Sequence, residues 1–213
     1  MNAFETFRQN LMDRYEIWEM GELTWFLGIR VIRDRAQRKL WLCQDSYIKK
    51  VVATFHLEHR RAYVPMITDA LKAYEGQATP QEAHAYQRKV GSILYIATNT
   101  RADVTRTAAK LLEFLKNPGP EHQQAAEQAI AYLNTTQNKA IQYSAEATNT
   151  TFMCASDAAF GDNLPSRKST EGFLFTLFGR PIYWRSTKQR TVTTSSTEAE
   201  LLAMTYTAKE LAW

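Results

Sequence analysis

Apolar positions recur at helical spacing in Phe4, Phe7, Leu11 and Tyr15, which predicts a short amphipathic helix over 2–15. The next stretch, LTWFLGIRVIRDRAQRKLWLCQ, carries two apolar runs around a polar turn and predicts a β-hairpin. In DSYIKKVVATFH, residues Tyr47, Ile48, Val51, Val52 and Phe55 share one helical face, with Asp45 or Ser46 as cap. Residues 60–80 hold no sustained period and read as a loop. Three helical patterns follow, at 81–99, 103–116 and 120–135. NPGP parts the last two, and Pro120 suits a first helical turn. Leu94, Leu111, Phe114, Ile130 and Leu133 are packing positions within them.

After Ser144 the period shortens. TFMCASD, EGFLFTLFG and PIYWRST predict three strands joined by turns containing Gly and Pro. TVTTSS is either a fourth strand or the lead-in to a helix near Thr197. The pattern is that of an α+β chain in three parts: a helix and hairpin over 1–60, a helical region over 61–148, and a strand-rich region over 149–213 closing in a helix.

Composition alters this picture little. At 45% hydrophobic and 23% charged residues the chain has the balance of a globular protein. No apolar run approaches the roughly 18 residues of a membrane span, and Glu5, Arg8 and Asp13 break any secretory pattern at the start. An intracellular protein with no membrane partner is expected. Cys43 and Cys154 have no CxxC spacing and are expected as reduced thiols in strands.

Charge is more informative by position than in total. The chain is +4 overall, yet 163–190 holds Arg167, Lys168, Arg180, Arg185, Lys188 and Arg190 against the single acid Glu171. A local basic stretch suits phosphate binding, and equally suits a solvated hairpin. Asp157 closes the first strand of this region, with Gly161 and Asp162 after it. Mg²⁺ needs only one or two protein carboxylates when phosphates complete its shell, and a carboxylate pair of that kind supports water-activated phosphodiester cleavage. Glu198 and Glu200 are the other candidates. Both also fit capping boxes, Ser195 with Glu198 and Thr197 with Glu200, and spacing alone favours the capping role.

The segments DAAFGDN (157–163), RKSTEGFLF (167–175), IYWRSTKQ (182–189) and SSTEAELLA (195–203) are together very similar to the start of the RNase H domain in copia-type retrotransposon polyproteins. MGELTWFLGIRV (20–31), QDSYIKKVV (44–52), YQRKVGSILYIATNTRADV (86–104) and HQQAAEQAIAYLNTT (122–136) resemble the stretch joining reverse transcriptase to that domain. The resemblance runs in order over nearly the whole chain. It implies a primer-grip hairpin and thumb-like helix over 1–60, a connection region over 61–148, and the first part of an RNase H-like mixed sheet with its first helix over 149–213. It also implies Asp157 and Glu200 as catalytic ligands of Mg²⁺, with Glu198 a helix-start neighbour. Arg167, Lys168, Arg185, Lys188 and Arg190 would face RNA or an RNA–DNA hybrid, and Trp184 and Tyr183 would pack rather than stack.

Four features qualify that resemblance. No Tyr-x-Asp-Asp motif of the polymerase occurs, and the later acids that the RNase H family carries after its first helix fall outside these residues. Asp157-Ala158-Ala159-Phe160 stands where the family tends to have Asp-Ala-Asp-Trp, and Thr100-Arg101-Ala102-Asp103 where it has Thr-Arg-Pro-Asp. The expectation is therefore a fragment or remnant of a Pol polyprotein that binds nucleic acid. Hybrid cleavage, or an adopted structural role, is the alternative. A sheet lacking its later strands would expose an edge and favour self-association or pairing with other polyprotein segments.

Overall fold

Residues 3–68, 70–145, 151–163 and 166–212 are described by the computed structural model. The expected hairpin forms from β1 (Trp25–Phe26), β2 (Ile29–Asp34) and β3 (Lys39–Cys43), all antiparallel. Its turn is set by Asp34, whose Oδ1 accepts from the Gln37 amide at 2.8 Å, and by Arg38 in the left-handed region at φ 52°. A fourth strand, β4 (Ile141–Ser144), pairs with β3 through Leu42↔Ile141 to Lys39↔Ser144. Four residues are too few for periodicity to reveal them, and the pairing partner lies a hundred residues away in sequence. The amphipathic start forms α1 (Ala3–Met12), but none of its residues is buried.

One hydrophobic core is shared by α2 (Asp45–Thr54), α3 (Pro80–Asn99), α4 (Thr105–Leu112) and α5 (Pro120–Thr135), so the helix of the first part and the helical region over 61–148 pack as a unit. The start of α3 is fixed by a capping box in which Thr79 and Glu82 satisfy each other's amides, with Pro80 in the first turn. At the start of α5 the Gly119 amide donates to His122 Nδ1 at 2.8 Å. Tyr86, Ile93, Ile96, Leu111, Ile130 and Leu133 are fully buried, each removal of an apolar side chain from water contributing about 1.5–3 kcal/mol. The only polar atom of the Tyr86 side chain is satisfied by donation to the Leu111 carbonyl at 2.9 Å, and burial pushes its phenol well above the ordinary range. The pattern expected helix to 116, whereas α4 ends at Leu112. Asn117 instead bridges the Tyr74 and Gly76 carbonyls and the Ala78 amide, and Pro118 cannot continue a helical ladder.

The strand-rich region is a three-stranded sheet in the order β5 (Phe152–Ala159), β6 (Thr170–Leu177), β7 (Arg180–Lys188). Every pairing in it is antiparallel, so the described strands are not mixed as the resemblance implied. The arrangement of helices with antiparallel sheets is consistent with an RNase H-like fold. TVTTSS resolves as lead-in rather than strand, and α6 (Ser196–Leu211) packs back across β5 and β6. The sheet is tied to the helical region by Trp184, whose Nε1 donates to the Ala97 carbonyl at 2.8 Å, and by the Tyr143 hydroxyl donating to the Pro181 carbonyl at 2.8 Å. The stretch 146–150, where the sequence puts the change from helices to strands, lies outside the described residues.

Candidate nucleic-acid interface

The register Ala159↔Thr170 and Thr170↔Lys188 brings the ends of all three strands together. The loop joining β5 to β6, the segment after β7 and the start of α6 therefore share one end of the sheet. Ser169 knits them. Its buried hydroxyl accepts from the Gly161 amide at 3.1 Å and bonds the Thr193 hydroxyl at 3.0 Å, and its carbonyl accepts from the Gln189 amide at 2.8 Å. Gly161 sits at φ +58°, which favours glycine. Asp162 takes the Thr170 amide and hydroxyl at 2.8 and 2.9 Å, and Asn163 takes the Ser166 amide and hydroxyl. These bonds tie the described residues on either side of 164–165 together beside Arg167 and Lys168.

The helix start settles which acid is the cap. Ser195 Oγ accepts from the Glu198 amide at 3.1 Å, and Glu198 Oε2 accepts from the Thr194 amide and hydroxyl at 2.6 and 2.9 Å. Those bonds, the backbone one foremost, hold the Glu198 carboxyl below the ordinary range. The Thr197–Glu200 box does not form, because the helix begins at Ser196 and places Thr197 inside its first turn. Glu200 is half-buried beside the buried Ala199 and has no capping role, and neither it nor Asp157 makes a hydrogen bond or ion pair to another described residue.

Asp157 lies within β5, two residues before its end, opposite Gly172, and is exposed. Strand alternation puts it in the row 153, 155, 157, 159. The other row holds Phe152, which packs on Phe175 at 5.9 Å between ring centres. That row lies beneath α6, since Phe173 on the same face meets Tyr206 of α6 at 6.1 Å. The strand of Asp157 and the helix of Glu200 are in contact, but Asp157 belongs to the row of β5 turned away from that helix. Among the described residues no group of three or more His, Cys, Asp or Glu side chains could hold a metal ion. A Mg²⁺ ion here would depend on phosphate oxygens brought by a ligand.

The five candidate cations divide. Arg167, Lys168 and Arg190 make no ion pair with a described residue. Arg185 is taken up on the α6 side by the Tyr206 hydroxyl at 2.6 Å and Glu210 at 3.7 Å. The Glu210 carboxyl is held low by hydrogen bonds from Tyr206 and Tyr183. Lys188 pairs with Glu113 at 3.0 Å. Sequence reasoning missed two acids of this site. Glu171 is buried beneath α6, and that burial pushes its carboxyl upward against Gln189 and Arg185. Glu113 arrives from the end of α4, with no local signal in the sequence to join it to β7.

No protein-family model matches the chain and no solved structure does. Over 211 residues, 96% of its length, it is 31% identical to the Retrovirus-related Pol polyprotein from transposon TNT 1-94 of Nicotiana tabacum. It is 32% identical over 206 residues to the Retrovirus-related Pol polyprotein from transposon RE1 of Arabidopsis thaliana. The chain spans only 16% and 14% of these two relatives. A third, the Secreted RxLR effector protein 161 of Plasmopara viticola, is 38% identical over 128 residues, which are 60% of this chain and 89% of that protein. Among the described residues no helix is long and apolar enough to cross a membrane.

Proposed function

Because the chain belongs to the copia-type retrotransposon Pol polyproteins, we propose that it joins a reverse transcriptase to an RNase H-like domain and that its sheet end holds an RNA–DNA hybrid by the phosphates. The observation that carries this reading is the gathering of Arg167, Lys168, Lys188 and Arg190, together with Glu200 and Asp157, at one end of one sheet. Among the described residues, three of the four cations have no ion-pair partner to give up. Phosphate contacts of this sort fix position without reading sequence.

A second reading is hybrid cleavage, favoured by the packing of α6 on β5, which makes the elements of Asp157 and Glu200 neighbours. Mg²⁺ would supply the Lewis acid for that chemistry, and Asp157 and Glu200 are the two acids that the resemblance implies for it, on neighbouring elements but with Asp157 in the strand row turned away from α6. No further step is derived, since the two carboxylates alone do not form a cage.

The test is filter binding of a short RNA–DNA hybrid at several salt concentrations. Affinity should fall steeply with salt, by about 0.7–0.9 in log–log slope for each phosphate contact. The triple substitution Arg167→Gln, Lys168→Gln, Arg190→Gln should flatten the slope by two to three such steps, roughly 2 in all. A slope unaffected by salt removes the proposal.

A further inference from the structure

Between α4 and the face of the sheet turned away from α6 lies a cleft of about 270 Å³, lined among others by Arg106, Lys110, Glu113, Asp162, Thr170 and Lys188. Its centre is an unusual acid. Glu113 is the C-cap residue of α4, where the partial negative charge of the helix end repels an anion. It is kept there by donors from three elements: Lys188 of β7 at 3.0 Å, Lys110 of α4 at 3.5 Å, and the nearly fully buried Asn163 amide at 2.6 Å. Asp162 stands similarly against Arg106 at 3.7 Å. Two ammonium groups and an amide converging on one pair of oxygens form the donor set that a phosphate group requires.

We propose that this cleft is a phosphodiester-binding subsite in which the Glu113 carboxylate occupies the donors until a nucleic-acid phosphate displaces it. The inference rests on the hybrid-binding reading and adds to it. The backbone held at Arg167 and Lys168 continues past Lys188 into the cleft, and Glu113 sets the affinity by competing for the same donors. Removing the carboxylate charge frees Lys110 and Lys188, so binding strengthens. A purely structural latch between α4 and the sheet predicts the reverse, because neutralising Glu113 then only loosens the surface that binds.

The experiment is fluorescence anisotropy of a labelled short RNA–DNA hybrid across a salt series, with the full chain and with Glu113→Gln and Lys188→Gln. Glu113→Gln should bind more tightly and steepen the salt slope by about 0.7–0.9, the weight of one further phosphate contact. Lys188→Gln should flatten it by about the same amount. Amine-reactive labelling of the unsubstituted chain supplies a readout independent of the folding of any variant: Lys110 and Lys188 should be protected by the hybrid. If the hybrid binds and Arg167→Gln weakens it, while Glu113→Gln does not strengthen it and neither lysine is protected, the cleft assignment fails and the wider reading stands. Absence of any hybrid binding overturns both.

Discussion

Ile93, Ile96, Leu111 and Ile130 are completely withdrawn from water among α3, α4 and α5, whereas α6 leaves Leu201, Met204 and Leu211 more than half exposed and sets only Ala199, Ala203 and Thr207 fully against the sheet. The helical region is a filled core. The sheet is a platform covered on one side by small residues, with Phe173 and Phe175 as its buried aromatics. The difference separates two tasks. Stability is concentrated where apolar side chains are fully buried, and the cations and carboxylates of the candidate interface sit where packing is thin. Ionic groups at such a place keep their hydration and can exchange partners, as a phosphate-binding surface needs.

The comparison is tested hardest by cutting into the core. Ile130→Ala should lower unfolding free energy by about 2–5 kcal/mol, through lost transfer energy and the cavity left behind. Urea denaturation measures it. A loss no larger than that of an α6 surface substitution would erase the distinction between the regions.

The second test lies at the rim of the helical core. Arg101 is buried and its guanidinium holds both Asp103 oxygens at 2.8 Å, while the Tyr132 hydroxyl donates to Asp103 at 2.7 Å. Burial alone would push the Asp103 carboxyl up, but the hydrogen bonds from Arg101 and Tyr132 and the charges of Arg101 and Lys139 bring it from 3.8 to about 2. A folded-state value below the unfolded one means that this stability is present above pH 3.8 and is lost as pH falls through about 2. Asp103→Asn should cost about 2–3 kcal/mol, less than a wholly buried pair because Asp103 stays partly exposed. It should also flatten the acid limb of the stability profile, which thermal melts at stepped pH will follow.

The smallest effect belongs to the platform. Ser195→Ala removes the N-cap of α6 and should cost about 1 kcal/mol. Amide exchange should accelerate in the first turn of α6 and stay unchanged in α3 and α5. Equal acceleration in both regions would show that they open together, contrary to the difference in their packing.

Much of the architecture was legible in the residues. Helical spacing marked α2, α3 and α5 closely, because each has one face to bury. Helices α3 and α5 open on a proline, whereas α2 starts after Gln44 with no side-chain cap, so neither Asp45 nor Ser46 caps it as expected. The three strands of the sheet, and the ordered motifs resembling a Pol polyprotein, were equally plain. Other features were hidden by the locality of those signals. β4 gave no period, and the early end of α4 depends on Asn117 bonding to a loop forty residues back. Two capping boxes overlapped at the start of α6, and only the backbone could choose Ser195 with Glu198 over Thr197 with Glu200.

Sequence by itself determined the element types, the family, and the residue kinds at the interface, since propensity, capping and hydrophobic period act over a few neighbouring positions. Tertiary structure alone decided which charges were free. Lys188 and Arg185 look alike along the chain, but Glu113 meets the first from α4 and Glu210 the second from α6, on opposite faces of the sheet. Ion pairing depends on distance in space, and alternation sends adjacent rows of a strand to different neighbours.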